Sequence, residues 1–271
     1  MAITLSALNV YPVKGLKGIA LTEARATERG IEHDRRWMLV GPAGEMLTQR
    51  EYPKMATVWT EIGEDALTLS APDVSSVDVP LVAPPGLAVR AEVWGTPCEA
   101  VAASGEADAW LSDYLGVRCR LLYMPESSRR HSTKRFTGND ERLVGFADGF
   151  AYLIVGEASL ADLNARLAVR GHAALPMNRF RPNLVVAGSD AYAEDGWSEI
   201  RIGEAVLKSA KPCGRCQVTT TDQATGEVKG PEPLATLSSF RESKDFGAMF
   251  GMNLVTLKPG RVSVGDTVEL A

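Results

Sequence analysis

The sequence predicts a mainly β fold with some helices (α+β), in which short strands build barrel- or sandwich-like layers and helices are appended. Three observations predict it. Short alternating runs of apolar and polar residues recur along most of the 271 residues. Gly- and Pro-rich turn signals separate these runs at regular spacing. Helical periodicity is confined to a few stretches.

Taken in order, residues 3–12 alternate as a first strand ending at Tyr11-Pro12, and the loop Lys14-Gly15-Leu16-Lys17-Gly18 follows. Residues 19–28 form another candidate strand. Glu32-His33-Asp34-Arg35-Arg36-Trp37 leads into Met38-Leu39-Val40, and Gly41-Pro42-Ala43-Gly44 turns the chain into Met46-Leu47-Thr48. Residues 57–62, 66–70, 76–82, 89–94 and 98–102 read as short strands, with a turn at Pro84-Pro85-Gly86. Ser104 caps a helix whose Ala107, Trp110, Leu111, Tyr114 and Leu115 recur at helical spacing until Gly116 stops it. Residues 118–124 are a strand. Residues 125–142 then turn polar and basic, a surface loop or a lid over an anionic ligand. After Asp148 come a strand at 151–155, a helix from Glu157 to Gly171 and a strand at 184–187. A strand over 200–209 precedes Lys211-Pro212-Cys213-Gly214-Arg215-Cys216, and the β-branched run 218–221 reads as strand-like. A short helix at 233–241 and strands at 250–257 and 262–270 close the chain.

Composition narrows the function. With 45% hydrophobic and 23% charged residues the chain matches a soluble globular protein of one large or two ordinary domains. A net charge of −5 argues against general nucleic-acid affinity, which leans on phosphate neutralisation. There is no apolar run of membrane-spanning length, and Met1 to Val10 reads as a strand instead of a signal peptide. Four cysteines are too few for a disulfide scaffold, which points to a reducing, cytoplasmic compartment. Cys98 and Cys119 stand among apolar neighbours and read as buried small hydrophobes.

Cys213 and Cys216 stand apart. A lysine and an arginine beside them make an electropositive setting that favours the thiolate, the form that attacks or binds metal. Four readings compete: a redox pair, half a zinc site, a single thiolate ligand to a soft metal, or two ordinary buried cysteines. A redox pair of thioredoxin type wants the motif to open a helix in a βαβ unit. Zinc wants four ligands, and the three histidines are scattered at 33, 131 and 172. His131 itself reads as a surface residue. A thiolate on a metal carried by an organic cofactor would need anion-binding groups elsewhere. Lys14 with its glycine loop, Arg35, the basic loop and Arg181 are candidates. Each has a plainer reading: a solvated turn, a surface ion pair, a mobile loop, turn chemistry before Pro182.

Lys211 to Cys216 with Thr219-Thr220-Thr221-Asp222, and Phe180-Arg181-Pro182-Asn183 upstream, resemble the MOSC domain. Tyr11-Pro12-Val13-Lys14-Gly15 and Asp34-Arg35-Arg36-Trp37-Met38-Leu39-Val40 resemble the β-barrel domain that precedes it, and Glu157 to Asn164 is similar to a further family segment. Together they resemble the MOSC-domain molybdoenzymes, the family of the mitochondrial amidoxime-reducing component and its bacterial relatives. The resemblance implies an N-terminal β-barrel-like domain over 1–122 and a β-barrel MOSC domain over 123–271. It implies a pyranopterin molybdenum cofactor (molybdopterin), with Cys216 as the metal ligand and Cys213 behind it. Lys14, Gly15, Arg35, Arg181, Asn183 and Arg215 would hold the pterin and its phosphate. Many relatives have serine where Gly15 stands, so backbone N–H groups would serve there. Asp148 is a candidate for substrate positioning or proton delivery.

The implied activity is reduction of N-hydroxylated compounds (hydroxylaminopurines, amidoximes, hydroxylamines) by oxygen-atom transfer to molybdenum. Electrons would come from a separate ferredoxin-, flavodoxin- or cytochrome-type donor protein. Two alternatives are a carrier of the cofactor or of sulfur, and a thiol–disulfide oxidoreductase using Cys213 and Cys216.

Overall fold

The computed structural model describes residues 2–82, 86, 88–138 and 140–271. It is mainly strands with three α-helices, as the alternating runs predict. Apart from Gly86, the turn expected at Pro84-Pro85-Gly86 lies outside the described residues.

The largest sheet has nine strands. Its path runs Val268–Leu270, Glu199–Ile202, Ala205–Gly214, Gly247–Lys258, Tyr152–Gly156, Leu184–Ala187, Thr4–Val10 and Ile19–Leu21, with Glu242–Ser243 on the side of Gly247–Lys258. Tyr152–Gly156 and Leu184–Ala187 run parallel, which requires a crossover, and helix α2 (Glu157–Val169) supplies it. The first strand of the chain thus pairs with Leu184–Ala187, far along the sequence. Leu5, Leu8, Val10, Ile154, Leu184 and Leu254 fill the core on one face. Leu163 and Leu167 of α2 and Leu237 of α3 (Leu234–Arg241) pack on Phe180 and Phe250 on the other.

A four-stranded sheet, in the order Trp37–Val40, Arg120–Tyr123, Thr96–Ala102 and Val89–Val93, belongs to the first half. So does a three-stranded sheet of Trp59–Ile62, Ala66–Ala71 and Val74–Pro80. Helix α1 (Gly105–Leu115) closes their shared core with Ala107 and Leu111. Its N-cap is Ser104, whose hydroxyl accepts from the Ala107 N–H, and Gly116 ends it in the left-handed conformation, as the sequence indicates.

Several expectations are corrected. The β-branched run 218–221 is not a strand: Gln217–Thr220 forms a 3-10 turn. The Thr219 and Thr220 hydroxyls donate to the carbonyls of Cys216 and Gln217, a local bond that competes with sheet pairing. The strand expected over 19–28 breaks into Ile19–Leu21 and Glu23–Thr27, and the second piece pairs with Gly260–Ser263 in another sheet. Residues 46–48 make one bridge, Met46 to Val40, and no strand. Cys119 is buried, but Cys98 is only half-buried at the edge of its cluster. The basic loop is partly interior: Ser128, Arg130 and Ser132 are buried.

Candidate functional site

Where the two halves meet, one cleft is lined by Lys14, Gly15, Arg35, Asp148, Arg181, Asn183, Arg215 and Cys216, but by no described residue of the basic loop 125–142. It is a cleft of about 170 Å³ that opens to solvent.

The cysteine motif reaches the cleft on a bulged strand end. Pairing between Ala205–Gly214 and Gly247–Lys258 shifts register at Ser209/Lys211 and again at Pro212/Gly214. Bulges re-aim side chains, and they accommodate a proline inside a strand. At Gly214 a Cβ would lie 2.0 Å from the Phe246 carbonyl oxygen, so only glycine fits. The two thiols are free and differ in setting. Cys213 Sγ accepts from Arg215 Nη1 at 2.9 Å and packs beside the α2–α3 core. Cys216, one turn further, starts the Gln217–Thr220 turn and lines the cleft.

The inner end is organised by Asp34, which sequence reasoning saw only as part of a surface ion pair. It is 3% exposed. Asp34 Oδ1 accepts from the Tyr11 N–H at 2.8 Å and from Asn183 Nδ2 at 3.0 Å, and Oδ2 accepts from Arg35 Nη1 at 2.5 Å. Burial raises the Asp34 carboxyl above its ordinary range, against the pull of Arg35. Asn183 also donates to the Asn9 carbonyl and accepts from Arg35 and the Leu153 N–H. Its amide is engaged within the protein, and its place is behind Arg35.

Arg35 and Arg181 both carry positive φ, 48° and 54°, uncommon for non-glycine residues and costly in backbone energy. Both guanidinium groups lie 4.4 Å from the centre of the Tyr11 ring. Gln49 and Gln223, unmarked in the sequence, exchange amide hydrogen bonds; Gln49 also donates to the Gly15 carbonyl and Gln223 accepts from Arg181. Gly15 itself has φ +83°, and a Cβ there would meet Met55 Cε at 2.7 Å.

At the mouth, Asp148 Oδ1 accepts from Lys14 Nζ and from Trp94 Nε1, the latter at 2.9 Å. Enclosure at the cleft would raise the Asp148 carboxyl, but the Lys14 ammonium outweighs it and holds the group well below the usual carboxylate range. The side chain is 66% exposed to the cleft, so the pair remains open to solvent or ligand. Lys14 is lowered by burial, with Asp148 opposing. Buried Arg130, part of the basic loop, donates to the carbonyls of Gly145, Ala147 and Asp148 at 2.6, 2.7 and 3.0 Å. It anchors the loop that carries Asp148 and does not face a ligand.

The cleft is electropositive in an acidic chain. Five basic side chains line it, Lys14, Arg35, Arg50, Arg181 and Arg215, against the single carboxylate of Asp148. Among the described residues neither Arg181 nor Arg215 has a carboxylate at ion-pair distance. Burial lowers Arg181 to about 10. The Arg215 Nε is buried and without a hydrogen-bond partner among the described residues. Unpaired, desolvated guanidinium groups fit an anionic ligand, and a phosphate is the group their planar fork matches best.

Comparison with known proteins agrees with this arrangement. Residues 2–118 match the MOSC N-terminal beta barrel domain and residues 141–269 the MOSC domain. The chain is 35% identical to mitochondrial amidoxime-reducing component 1 of Mus musculus over 289 residues, spanning 98% of this chain and 82% of that protein. The chain belongs to the MOSC-domain family of the amidoxime-reducing components. It is 36% identical to component 1 of Homo sapiens over 98% of this chain and 82% of that one. The molybdenum cofactor sulfurase of Oryza sativa subsp. japonica is 34% identical over 89% of this chain, which corresponds to 31% of the sulfurase. The cleft thus joins Cys216, within the residues that match the MOSC domain, to Lys14 and Arg35, within those that match the N-terminal beta barrel domain. No helix of the described residues is long and apolar enough to cross a membrane.

Proposed function

We propose that this MOSC-family protein, molybdenum-cofactor-related by its relatives, reduces N-hydroxylated compounds such as amidoximes, hydroxylaminopurines and hydroxylamines. One observation carries the reading: of the two thiols that line the cleft, Cys213 is engaged by Arg215 and Cys216 is not, and both share the cleft with guanidinium groups drawn from distant parts of the chain. Among the described residues no group of three or more His, Cys, Asp or Glu side chains converges on a metal-binding point. A metal at Cys216 would therefore need most of its ligands from an organic partner. A phosphate-bearing pterin fits that requirement and the charge of the cleft.

In this reading the Cys216 thiolate holds molybdenum, and Lys14, Arg35, Arg181 and Arg215 hold the pterin and its phosphate. The backbone around Gly15 supplies further N–H donors. Asp34 and Asn183 keep the Arg35 fork aimed. When bound, the cofactor would supply two electrons to the substrate N–O bond and take up its oxygen; the protein orients, excludes competing reactions and manages protons. Asp148, ionised at neutral pH, accepts from the N–H or O–H of the substrate. Lys14 Nζ holds a proton on the Asp148 Oδ1 side of the mouth. Electrons come from a separate donor protein, and the cytoplasm is the proposed site of action.

The test is amidoxime reduction with a chemical one-electron donor, so that no partner protein is needed. Wild type forms amidine, Cys216→Ala loses turnover by at least about a thousandfold, and Cys213→Ala stays within about tenfold. Equal loss on replacing either cysteine would favour thiol–disulfide chemistry. The likeness to a molybdenum cofactor sulfurase favours a second reading, a carrier of cofactor or sulfur. Tightly held cofactor with no turnover under any donor would support it.

A further inference from the structure

The hairpin formed by Val89–Val93 and Thr96–Ala102 turns through two residues, Trp94 and Gly95, both with positive φ, 51° and 78°. Such two-residue turns favour Asn, Asp or Gly, because a bulky side chain in the left-handed region is strained. A tryptophan at the first position is locally unfavourable, and such strain persists only where surrounding contacts over-determine it. Two contacts do so here. The indole N–H donates to Asp148 Oδ1 at 2.9 Å, and the Arg50 guanidinium lies 4.5 Å from the ring centre. Both bind the hairpin tip to the mouth of the cleft that Cys216 lines.

Trp94 differs from the other aromatic residues of that cleft. Phe150, Tyr152 and Phe180 are 8%, 2% and 0% exposed, whereas Trp94 is 48% exposed. The first three form the wall behind the surface, and Trp94 alone presents open aromatic area. With Arg50 over the ring and the N–H tied to Asp148, the indole is held in one orientation before any ligand arrives.

We propose that Trp94 is the specificity wall of the site, a fixed indole on which flat, conjugated N-hydroxylated substrates stack while Asp148 Oδ2 takes their N–H or O–H. The Oδ1 atom is engaged by Lys14 and Trp94, which leaves Oδ2 for the substrate. Aryl amidoximes and N-hydroxylated nucleobases have both parts of the match, a π face and a donor at its edge. Small aliphatic hydroxylamines and amidoximes have only the donor. This inference rests on the proposed reductase reading for its substrate class.

The experiment separates the two by measuring binding without turnover. Cofactor-loaded protein, with no reductant, is titrated with benzamidoxime and with acetamidoxime by calorimetry, for wild type, Trp94→Phe and Trp94→Ala. Stacking is worth about tenfold in affinity. Wild type should prefer benzamidoxime by roughly that factor, Trp94→Phe should keep most of the preference, and Trp94→Ala should lose it, benzamidoxime affinity falling by more than acetamidoxime affinity. Cofactor content and melting temperature of each variant show whether the site is intact. Equal affinities in wild type, no binding of either compound, or a preference that survives in an intact Trp94→Ala would overturn the inference. Selective binding with no reduction on adding reductant would leave the wall in place and refute the reductase reading.

Discussion

Asp34 and Asp148 are both paired with a cation from the first forty residues, yet they do opposite things. Asp34 is 3% exposed, makes hydrogen bonds to Tyr11, Arg35 and Asn183, and is raised by burial. Asp148 has a side chain 66% exposed, is lowered despite its enclosure because Lys14 outweighs it, and keeps one oxygen open. Around Asp34 lie positive-φ Arg35 and Arg181 stacked on Tyr11, an inner end in which each group is held by several others. Around Asp148 lie Trp94 and Arg50, an outer end with few contacts and an open face. The difference teaches that one cleft has a holding end and a selecting end. The same residue type serves both because burial sets the one and a neighbouring ammonium the other.

The comparison is broken most directly by removing each carboxylate. Asp34→Ala takes the carboxylate from Arg35 and an acceptor from the Tyr11 N–H and the Asn183 amide, and should cost about 3–5 kcal/mol in chemical denaturation. Asp148→Ala should cost less, about 1–2 kcal/mol, because the carboxylate itself is exposed although buried Lys14 loses its partner. Similar costs for the two would erase the distinction. A smaller effect belongs to the loop that joins the ends. Gly15→Ala places a side chain at φ +83°, against a flexible Met55 tip, and should destabilise by about 1–2 kcal/mol. A melting temperature equal to wild type would show that the loop relaxes freely.

The smallest effect on stability sharpens the electrostatic half. The folded Asp148 carboxyl titrates below its unfolded value of about 3.9. The contribution of the Lys14 pair is therefore complete above that value and is lost as pH falls through the folded one. A carboxyl-carbon NMR titration should show Asp148 still ionised at pH 4. In Lys14→Met the same carboxyl should move upward, since enclosure then acts against Trp94 and more distant guanidinium groups such as Arg35. No movement would mean that Lys14 does not set the charge at the mouth.

Much of this was legible in one sequence, and the reasons are physical. Period-two runs announced strands such as Ala66–Ala71, and Ser104 and Gly116 bounded α1. The two cysteines and four of the basic residues that line the cleft, Lys14, Arg35, Arg181 and Arg215, were marked by residue type and by family resemblance, whereas Arg50 was not. What was hidden depends on the third dimension. Nothing local says that Thr4–Val10 pairs with Leu184–Ala187, or that Gln49 meets Gln223. Asp34 looked like half of a surface ion pair because burial is a property of the packed chain. Arg130 looked like a loop charge, and its three carbonyl acceptors appear only when residues 145–148 fold back on it. Trp94 gave one weak signal, a tryptophan before a glycine between two strands, where turn chemistry prefers a small polar residue.

The central claim is that Cys216 is the protein's ligand to a molybdenum cofactor whose other contacts are the basic side chains of the cleft. The measurement that tests it is molybdenum content and released, oxidised pterin in purified wild type, Cys213→Ala and Cys216→Ala from a host that makes the cofactor. The account predicts near-stoichiometric metal and pterin in wild type and Cys213→Ala, and loss of metal with pterin largely retained in Cys216→Ala. Full metal in Cys216→Ala, or none in wild type, would contradict it.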